Sequence, residues 1–144
     1  MNTLLNQIQQ EEHSNCILCG QNNEKGLKLD FMLQEDGGVE AYFRCTKDVE
    51  GYRNILHGGV VSALLDAAMT NCLFAHGIRA LTADLKVRFL VPVDAEGIVQ
   101  LRARIQRAWA RFYILKSELF QNDVLKATGQ SIFVRLAKDK PDDK

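Results

Sequence analysis

The sequence lacks the features that mark membrane, secreted or nucleic-acid-binding proteins. Its formal net charge is zero, from 18 basic and 18 acidic residues, so no overall field draws it towards nucleic acid or anionic membranes. The first residues lack the basic start and apolar run of a signal peptide, and no run approaches the roughly 20 apolar residues of a membrane span. We therefore expect a cytoplasmic protein whose four cysteines are reduced thiols.

Composition also excludes disorder and fibrous repeats. The 144 residues are 47 % hydrophobic and 25 % charged, which is typical of globular proteins. A chain of this length buries roughly 68–70 % of its unfolded surface, so it needs no disulfide or obligatory metal. We see no internal repeat, and we divide the chain into an N-terminal helix and turn segment (1–26), one domain (27–136) and a charged tail (137–144).

The longest helical pattern follows His57. Val61, Leu64 and Cys72 recur at helical spacing, and further apolar residues surround them until the segment is apolar almost all round. Such a helix is buried at the centre of a fold, and Gly77 is expected to end it.

The other segments alternate as strands do. Residues 27–33 and 39–46 form a predicted hairpin, joined through Gly37 and Gly38. Four further runs follow the helix and are predicted to pair in hairpin sequence: 85–91, 101–106, 112–120 and 132–136. In the last run, Ile132 and Val134 are among the alternating apolar residues.

This order of elements predicts an α+β fold. One helix cannot cover two sheets, so we expect one curved antiparallel sheet wrapped around a long central helix. Such a sheet leaves an edge strand for a partner chain.

The segment with the clearest chemical signal runs from Gly51 to the start of this helix. Gly58 and Gly59 either let a ligand or another backbone approach closely, or simply allow tight packing at a corner. The first N–H groups of a helix have no internal acceptor and lie at the positive end of its dipole. The pattern is therefore a candidate donor site for a carbonyl or oxyanion.

Asp66 lies among apolar residues of the same helix. It must reach solvent, find hydrogen-bond donors or have its pKa raised by desolvation, and a raised pKa suits a general base. A carboxylate bonded to neighbouring backbone is the structural alternative. Asp66 follows Gly58 by eight residues, about 12 Å at roughly 1.5 Å per residue. Joint action on one carbonyl therefore requires the antiparallel helices of a twofold dimer.

Two stretches carry a family resemblance. Residues 54–66 (NILHGGVVSALLD) and 82–92 (TADLKVRFLVP) resemble acyl-CoA thioesterases of the hotdog-fold superfamily, in the phenylacetate-degradation and hydroxybenzoyl-CoA thioesterase-like branch. The resemblance covers most of residues 27–136. It implies a hotdog fold, a homodimer commonly paired into a tetramer, and hydrolysis of an acyl-CoA thioester to free acid and CoA without a cofactor.

The resemblance also implies roles for four catalytic residues. The Gly58 N–H polarises the thioester carbonyl, and His57 shapes the turn and the pocket. Asp66 of the partner chain activates water or attacks directly. Thr82 helps to place the water.

Four residues are candidates for substrate binding. Many members of the branch carry an asparagine six positions before the histidine, where this chain has Gly51, and Asn54 is the candidate to reach the same space. Gly59 is a candidate because it lies at the start of the helix, next to Gly58. Lys86 and Arg88 share one strand face and suit the CoA phosphates, although cations on a solvated sheet face are the other interpretation.

Two other functions stay open. A hotdog module that binds acyl-CoA or another ligand without turnover is consistent with the missing asparagine. A hotdog enoyl-CoA hydratase or dehydratase would use His57 together with Asp66. In each case acyl-CoA or a related ligand is the expected partner, with no nucleic acid and no membrane.

Cys16 and Cys19 have the spacing of half a zinc knuckle. No second pair follows, so the sequence predicts a turn that packs two small thiols, and no metal. Cys45 and His13 could complete a site only if the fold brings them there.

Overall fold

A computed structural model describes residues 3–136, which form two α-helices, a short 3₁₀ turn and six strands. The helices are α1 (Thr3–His13) and α2 (Gly58–Ala75), and the 3₁₀ turn is Lys47–Val49. The strands are β1 (Met32–Leu33), β2 (Val39–Cys45), β3 (Ala80–Phe89), β4 (Gly97–Trp109), β5 (Phe112–Gln121) and β6 (Val124–Arg135). They form one antiparallel sheet in the order β1-β2-β4-β5-β6-β3, which curves around α2. The predicted α+β architecture is confirmed, and the predicted charged tail lies outside the described residues.

Helix α2 is the centre of the core, as its apolar pattern predicts. Leu64, Leu65 and Met69 are fully buried. The helix ends at the cap residue His76, and Gly77 follows with a φ of 76°, which glycine adopts without strain. By length and composition α2 is also a weak candidate for a membrane span, with a mean hydropathy of 1.4. Since 61 % of it is buried inside the fold, and core helices have the same composition, packing accounts for its apolar character.

The predicted hairpin order is correct for β4, β5 and β6 but wrong for β3. Strand β3 pairs with β6, at the far end of the sheet, and β4 pairs with β2. A tight turn would place β3 beside β4, but the link between them is residues 90–96, too long for a two-residue hairpin.

The 90–96 link is fixed to the loop that precedes α2. The Leu56 N–H donates to the Val93 carbonyl at 2.8 Å, and the Ala95 N–H donates to the Asn54 carbonyl at 2.9 Å. These bonds hold the link across the start of α2, so it crosses the fold rather than turning back on β3.

The first predicted strand is much shorter than expected. Only Met32 and Leu33 pair with β2, whereas the prediction covered residues 27–33. The Leu27 and Leu29 N–H groups donate instead to carbonyls of the preceding turn segment, and Lys28 has a φ of 53°. Leu29 is still buried, so the apolar pattern identified burial correctly but not strand pairing.

Strand β6 faces the core with the residues that lie between the alternating apolar positions Ile132 and Val134. Ile132 is 37 % exposed, while Phe133, Ser131 and Ala127 are buried. In the middle of the strand the inner face must be small because α2 lies close against it: a Cβ added at Gly129 would lie 3.2 Å from the Leu65 Cβ. The alternation of apolar residues therefore predicts the strand but does not identify its buried face.

The two edges of the sheet differ strongly. Edge strand β1 has two residues, whereas edge strand β3 has ten. Strand β3 is exposed along most of its length, and Leu81 (62 %), Leu85 (37 %) and Phe89 (56 %) are accessible there. A long apolar edge strand offers unpaired backbone groups and side-chain contacts to another strand.

Candidate active site

His57 is the N-cap of α2 and organises the loop around it. Its Nδ1 accepts a hydrogen bond from the Gly59 N–H at 2.8 Å, so the proton of the neutral ring lies on Nε2. A Cβ at Gly59 would lie 3.1 Å from the ring, and a Cβ at Gly51 would lie 3.2 Å from the His57 Cα. Both glycines therefore make room for His57.

Position 51 is packed closely against His57. A side chain there requires His57 to move by a few tenths of an ångström, since the added Cβ meets its main chain as well as its ring. Because many family members carry both the asparagine and the histidine, His57 does not by itself account for Gly51.

The cap leaves the Gly58 N–H as an available donor at the helix start. No acceptor for it lies in the described part of the chain, whereas the Gly59 N–H is occupied by His57. The free N–H lies at the positive end of an 18-residue helix, which favours a negatively polarised oxygen. The start of α2 therefore has the geometry expected of the predicted donor site.

A cavity of about 670 Å³ opens at this helix start. Its apolar walls come from the loop before α2 and from residues 89–93, where β3 ends. The apolar residues that line the cavity include Leu56, Val61, Phe89, Leu90 and Val91. A pocket of this size and character suits an apolar ligand held by a few polar groups.

Asp66 is held by Thr82, a residue of β3. The Thr82 hydroxyl donates to the Asp66 Oδ1 at 2.8 Å, so the two predicted catalytic residues are brought together within one chain. Burial raises the Asp66 pKa above its ordinary value, while the Thr82 hydrogen bond and the charge of His13 lower it. The carboxylate is half-buried at the open edge of the sheet.

Gly58 and Asp66 do not meet within one chain. The cavity is lined by His57 and Gly58 but not by Asp66 or Thr82. Two turns of α2 separate the donor from the carboxylate, about 12 Å along the axis.

Asn54 does not reach the cavity. It adopts a left-handed conformation with a φ of 66°, and it is absent from the cavity lining. Its N–H donates to the Glu50 carboxylate at 3.2 Å, and its carbonyl accepts from Ala95. It supports the loop that carries His57.

Lys86 and Arg88 lie on the outer face of the sheet. They line a shallow polar groove with Arg104, Lys116 and Glu118, separate from the apolar cavity. Any contact they make with a ligand is therefore with a part that remains outside that cavity.

The sequence patterns did not predict one wall of the cavity. The cavity wall at residues 89–93 follows β3 and shows in the sequence only as a continued apolar run, Phe89 to Val93. The fold also brings His13 to Cys16 and Cys19, the possibility left open above, and does not bring Cys45 to them.

A curved six-stranded antiparallel sheet around one long helix, with a donor site at the helix start, defines a hotdog-fold protein. A sequence model of the thioesterase superfamily matches residues 53–134, which is more than half of the chain. The chain therefore belongs to the thioesterase superfamily, and the predicted family is confirmed.

Curated relatives are distant and longer. An uncharacterized protein of Schizosaccharomyces pombe is 24 % identical over 116 residues, covering 75 % of this chain and 66 % of that protein. Bovine acyl-coenzyme A thioesterase THEM4 is 22 % identical over 138 residues, covering 92 % of this chain and 57 % of the enzyme. The chain thus spans less than two thirds of the length of either relative.

Solved structures share the fold. A thioesterase superfamily protein superimposes with a TM-score of 0.77 at 21 % identity, covering 81 % of this chain and 61 % of the other. A conserved protein of Pseudomonas aeruginosa has a TM-score of 0.68 at 29 % identity (76 % and 90 %). A Streptococcus mutans protein bound to acetyl CoA has a TM-score of 0.69 at 16 % identity (75 % and 88 %).

Proposed function

We propose that this protein hydrolyses an acyl-CoA thioester at a site built from two copies of the chain. The observation that carries the proposal is the Gly58 N–H, which has no acceptor in the described residues and borders an apolar cavity large enough for an acyl group. Superfamily membership, the resemblance to an acyl-coenzyme A thioesterase and the acetyl-CoA-bound structural neighbour support the substrate class.

The second chain supplies the base. Neither Asp66 nor Thr82 borders the cavity of its own chain, so a carboxylate acting on the bound carbonyl has to come from elsewhere. Pairing β3 with β3 of a second copy, antiparallel about a twofold axis, continues the sheet and covers its apolar edge. In that dimer the α2 helices run antiparallel, and each Gly58 faces the other chain's Asp66.

The reaction follows from these positions. The ionised Asp66 takes a proton from a water molecule while the water oxygen attacks the thioester carbon. The carbonyl oxygen becomes negatively charged and accepts the Gly58 N–H, and the helix dipole stabilises the same charge. The C–S bond then breaks, and the proton passes from Asp66 to the sulfur, which gives the free acid and the CoA thiol.

Thr82 and His57 support these two groups. Thr82 occupies Oδ1 of Asp66 and leaves Oδ2 to meet the water. His57 holds the Gly59 N–H and leaves the Gly58 N–H, which borders the cavity, to meet the substrate carbonyl. We place Lys86 and Arg88 at the CoA phosphates, since they lie on β3, beside the dimer seam and outside the acyl cavity.

Replacing Gly58 by proline tests the donor directly. Proline fits the first position of a helix and lacks an N–H, and His57 already has the ψ of 134° that a residue before proline prefers. We expect Gly58→Pro to lower kcat by about 10²–10³-fold, the cost of losing one oxyanion donor. Gly58→Ala is the matched control, because it keeps the N–H and its Cβ meets only Phe89, at 3.7 Å.

Mixing two inactive variants tests the two-chain site. Asp66→Asn and Gly58→Pro homodimers each lack one group in both sites, whereas a mixed dimer retains one complete site. Co-expression with random pairing should restore roughly a quarter of wild-type thiol release. If the mixture stays inactive while mixed dimers are present, or if Asp66→Asn turns over normally, the proposal is wrong.

A binding module is the second candidate, because Gly51 stands where many members of the family carry an asparagine. Thermal stabilisation by acyl-CoA, with no thiol release from short, long or aromatic acyl-CoAs, would favour it. Water addition to an enoyl-CoA without thiol release would instead indicate a hydratase.

A further inference from the structure

A cluster of three metal-ligand side chains lies at the C-terminal end of α1, apart from the acyl cavity. The ligand atoms of His13, Cys16 and Cys19 all lie within 4.8 Å of one another. Cys19 is buried and the other two are half-buried. The proposed hydrolysis uses none of them, so this cluster needs its own explanation.

We propose that His13, Cys16 and Cys19 bind one divalent cation of the Zn²⁺ class. The His13 Nδ1 lies 3.6 Å from the Cys19 Sγ. Bond lengths of about 2.3 Å to sulfur and about 2.0–2.1 Å to nitrogen, at a tetrahedral angle, also separate the two ligand atoms by about 3.6 Å. The pair therefore already has the spacing of two ligands on one ion.

The turn around Cys16 has the local geometry of a metal knuckle. The Leu18 N–H donates to the Cys16 Sγ at 3.3 Å, a bond that stabilises a thiolate and orients the sulfur. The Gly20 N–H donates to the Cys16 carbonyl at 2.9 Å, and a Cβ at Gly20 would lie 2.4 Å from the Cys16 nitrogen. Only glycine fits a turn that is wound this closely around the first cysteine.

Charge balance favours a doubly charged ion. Two thiolates and a neutral imidazole carry a charge of −2, so the complex with Zn²⁺ is neutral and suits a site that is partly buried. Within residues 3–136 the cluster offers three protein ligands, and a water molecule takes the fourth position of a tetrahedral ion.

The proposed ion has a structural consequence. Residues 14–26 contain turns but no helix or strand, and they hold the segment that leads to β1. His13 contacts Phe74 of α2 edge-on, with ring centroids 5.0 Å apart. An ion shared by His13 and both cysteines would therefore fasten this irregular segment to the two helices.

Cobalt binding to the reduced full chain tests the site. Thiolate ligation gives Co²⁺ an intense sulfur-to-metal charge-transfer absorption, and we expect one ion per chain with release of about two protons near neutral pH. We expect Zn²⁺ to displace Co²⁺ and to raise the melting temperature. Cys16→Ser and His13→Gln should each weaken binding at least about tenfold. Cys45→Ala, which removes a buried thiol outside the cluster, should bind normally.

Three results would overturn the proposal. One is the absence of cobalt absorption and proton release in wild-type protein whose four thiols are all free by titration. Another is unchanged affinity in both Cys16→Ser and His13→Gln. The third is a Cys16–Cys19 disulfide that persists under reducing conditions in which Cys45 is a free thiol. The wild-type measurement needs no variant to fold, and thiol release is not its readout, so its outcome is independent of the proposed hydrolysis.

Discussion

The two edges of the sheet are built in opposite ways. At one end, β1 pairs over two residues, and the backbone before it is bonded to the N-terminal turn segment. At the other end, β3 runs for ten residues with its apolar side chains accessible. The first edge is short and gives a partner strand little to pair with, whereas the second is long enough to pair with another strand.

Part of the candidate site lies along the longer edge. Strand β3 supplies Thr82, which holds Asp66, and ends at Phe89, which forms part of the acyl cavity. Its outer face carries Lys86 and Arg88. The edge that stays open in one chain therefore also carries part of the candidate site, next to Asp66 of α2.

Charges placed on the open edge should have the largest effect. We expect the double variant Leu81→Lys/Leu85→Lys to be monomeric by analytical ultracentrifugation, since like charges would face each other across the twofold axis. Thiol release should fall by about 10²-fold or more, because each monomer then lacks either a base or a donor at its carbonyl.

The short edge provides the control. Met32 (60 %) and Leu33 (40 %) match Leu81 (62 %) and Leu85 (37 %) in exposure. We expect Met32→Lys/Leu33→Lys to remain dimeric and active. Equal dissociation by both double variants would contradict the contrast between the edges.

Disturbing the cap beside the cavity should have an intermediate effect. In Gly59→Ala the new Cβ lies 3.1 Å from the His57 ring and displaces it. We expect a loss of about 1 kcal/mol in unfolding free energy, typical of an N-cap, and a drop in kcat/KM of roughly tenfold. Gly58→Ala has more space and should lose much less on both measures. A Gly59→Ala variant with wild-type stability would argue against the cap.

Removing the Thr82 hydroxyl should change the pH profile more than the maximal rate. The hydrogen bond from Thr82 lowers the Asp66 pKa, so Thr82→Val raises that pKa further. Because the base must be ionised, the acidic limb of kcat/KM should move to higher pH, with a several-fold loss below neutrality. Thr128→Val on β6, away from Asp66, should leave the limb in place. A limb that moves to lower pH would exclude Asp66 as the titrating base.

The smallest expected effect is a gain in stability. Burial raises the Asp66 pKa in the folded chain above its value in the unfolded chain. The protonated form therefore contributes its full stabilisation below the unfolded-state pKa, and this contribution is lost as the pH rises through the folded-state pKa. At neutral pH the ionised group therefore opposes folding. We expect Asp66→Asn to melt about 1–3 °C higher at neutral pH, a gain that shrinks in acid, and the exposed Asp84→Asn to show no such gain. A lower melting temperature in Asp66→Asn would contradict this account.

Local patterns in the sequence predicted the elements well. The apolar pattern after His57 identified α2, and Gly77 marked its end because only glycine adopts that backbone conformation easily. The turn between β4 and β5 is equally local, with Ala110 at a φ of 56°. These features depend on a few neighbouring residues, which is why a single sequence reveals them.

Features that depend on distant contacts were missed or reversed. The pairing of β3 with β6 depends on how residues 90–96 cross the start of α2, and no local pattern records that path. The apolar pattern of β6 does not identify its inner face, because close packing against α2 selects Gly129 over larger residues in the middle of the strand. The spacing of Gly58 and Asp66 predicted their separation, whereas the close packing of Gly51 against His57 shows only in the structure.

The crossing of residues 90–96 over the start of α2 also sets an order for folding. The loop that presents His57 is held by Leu56 and Asn54 through Val93 and Ala95, almost forty positions downstream. During synthesis, the first half of the chain can form α2 by local contacts but cannot complete its ligand-binding loop until that later stretch emerges from the ribosome. A nascent chain released before residue 95 would carry the His-Gly-Gly motif without the scaffold that shapes it.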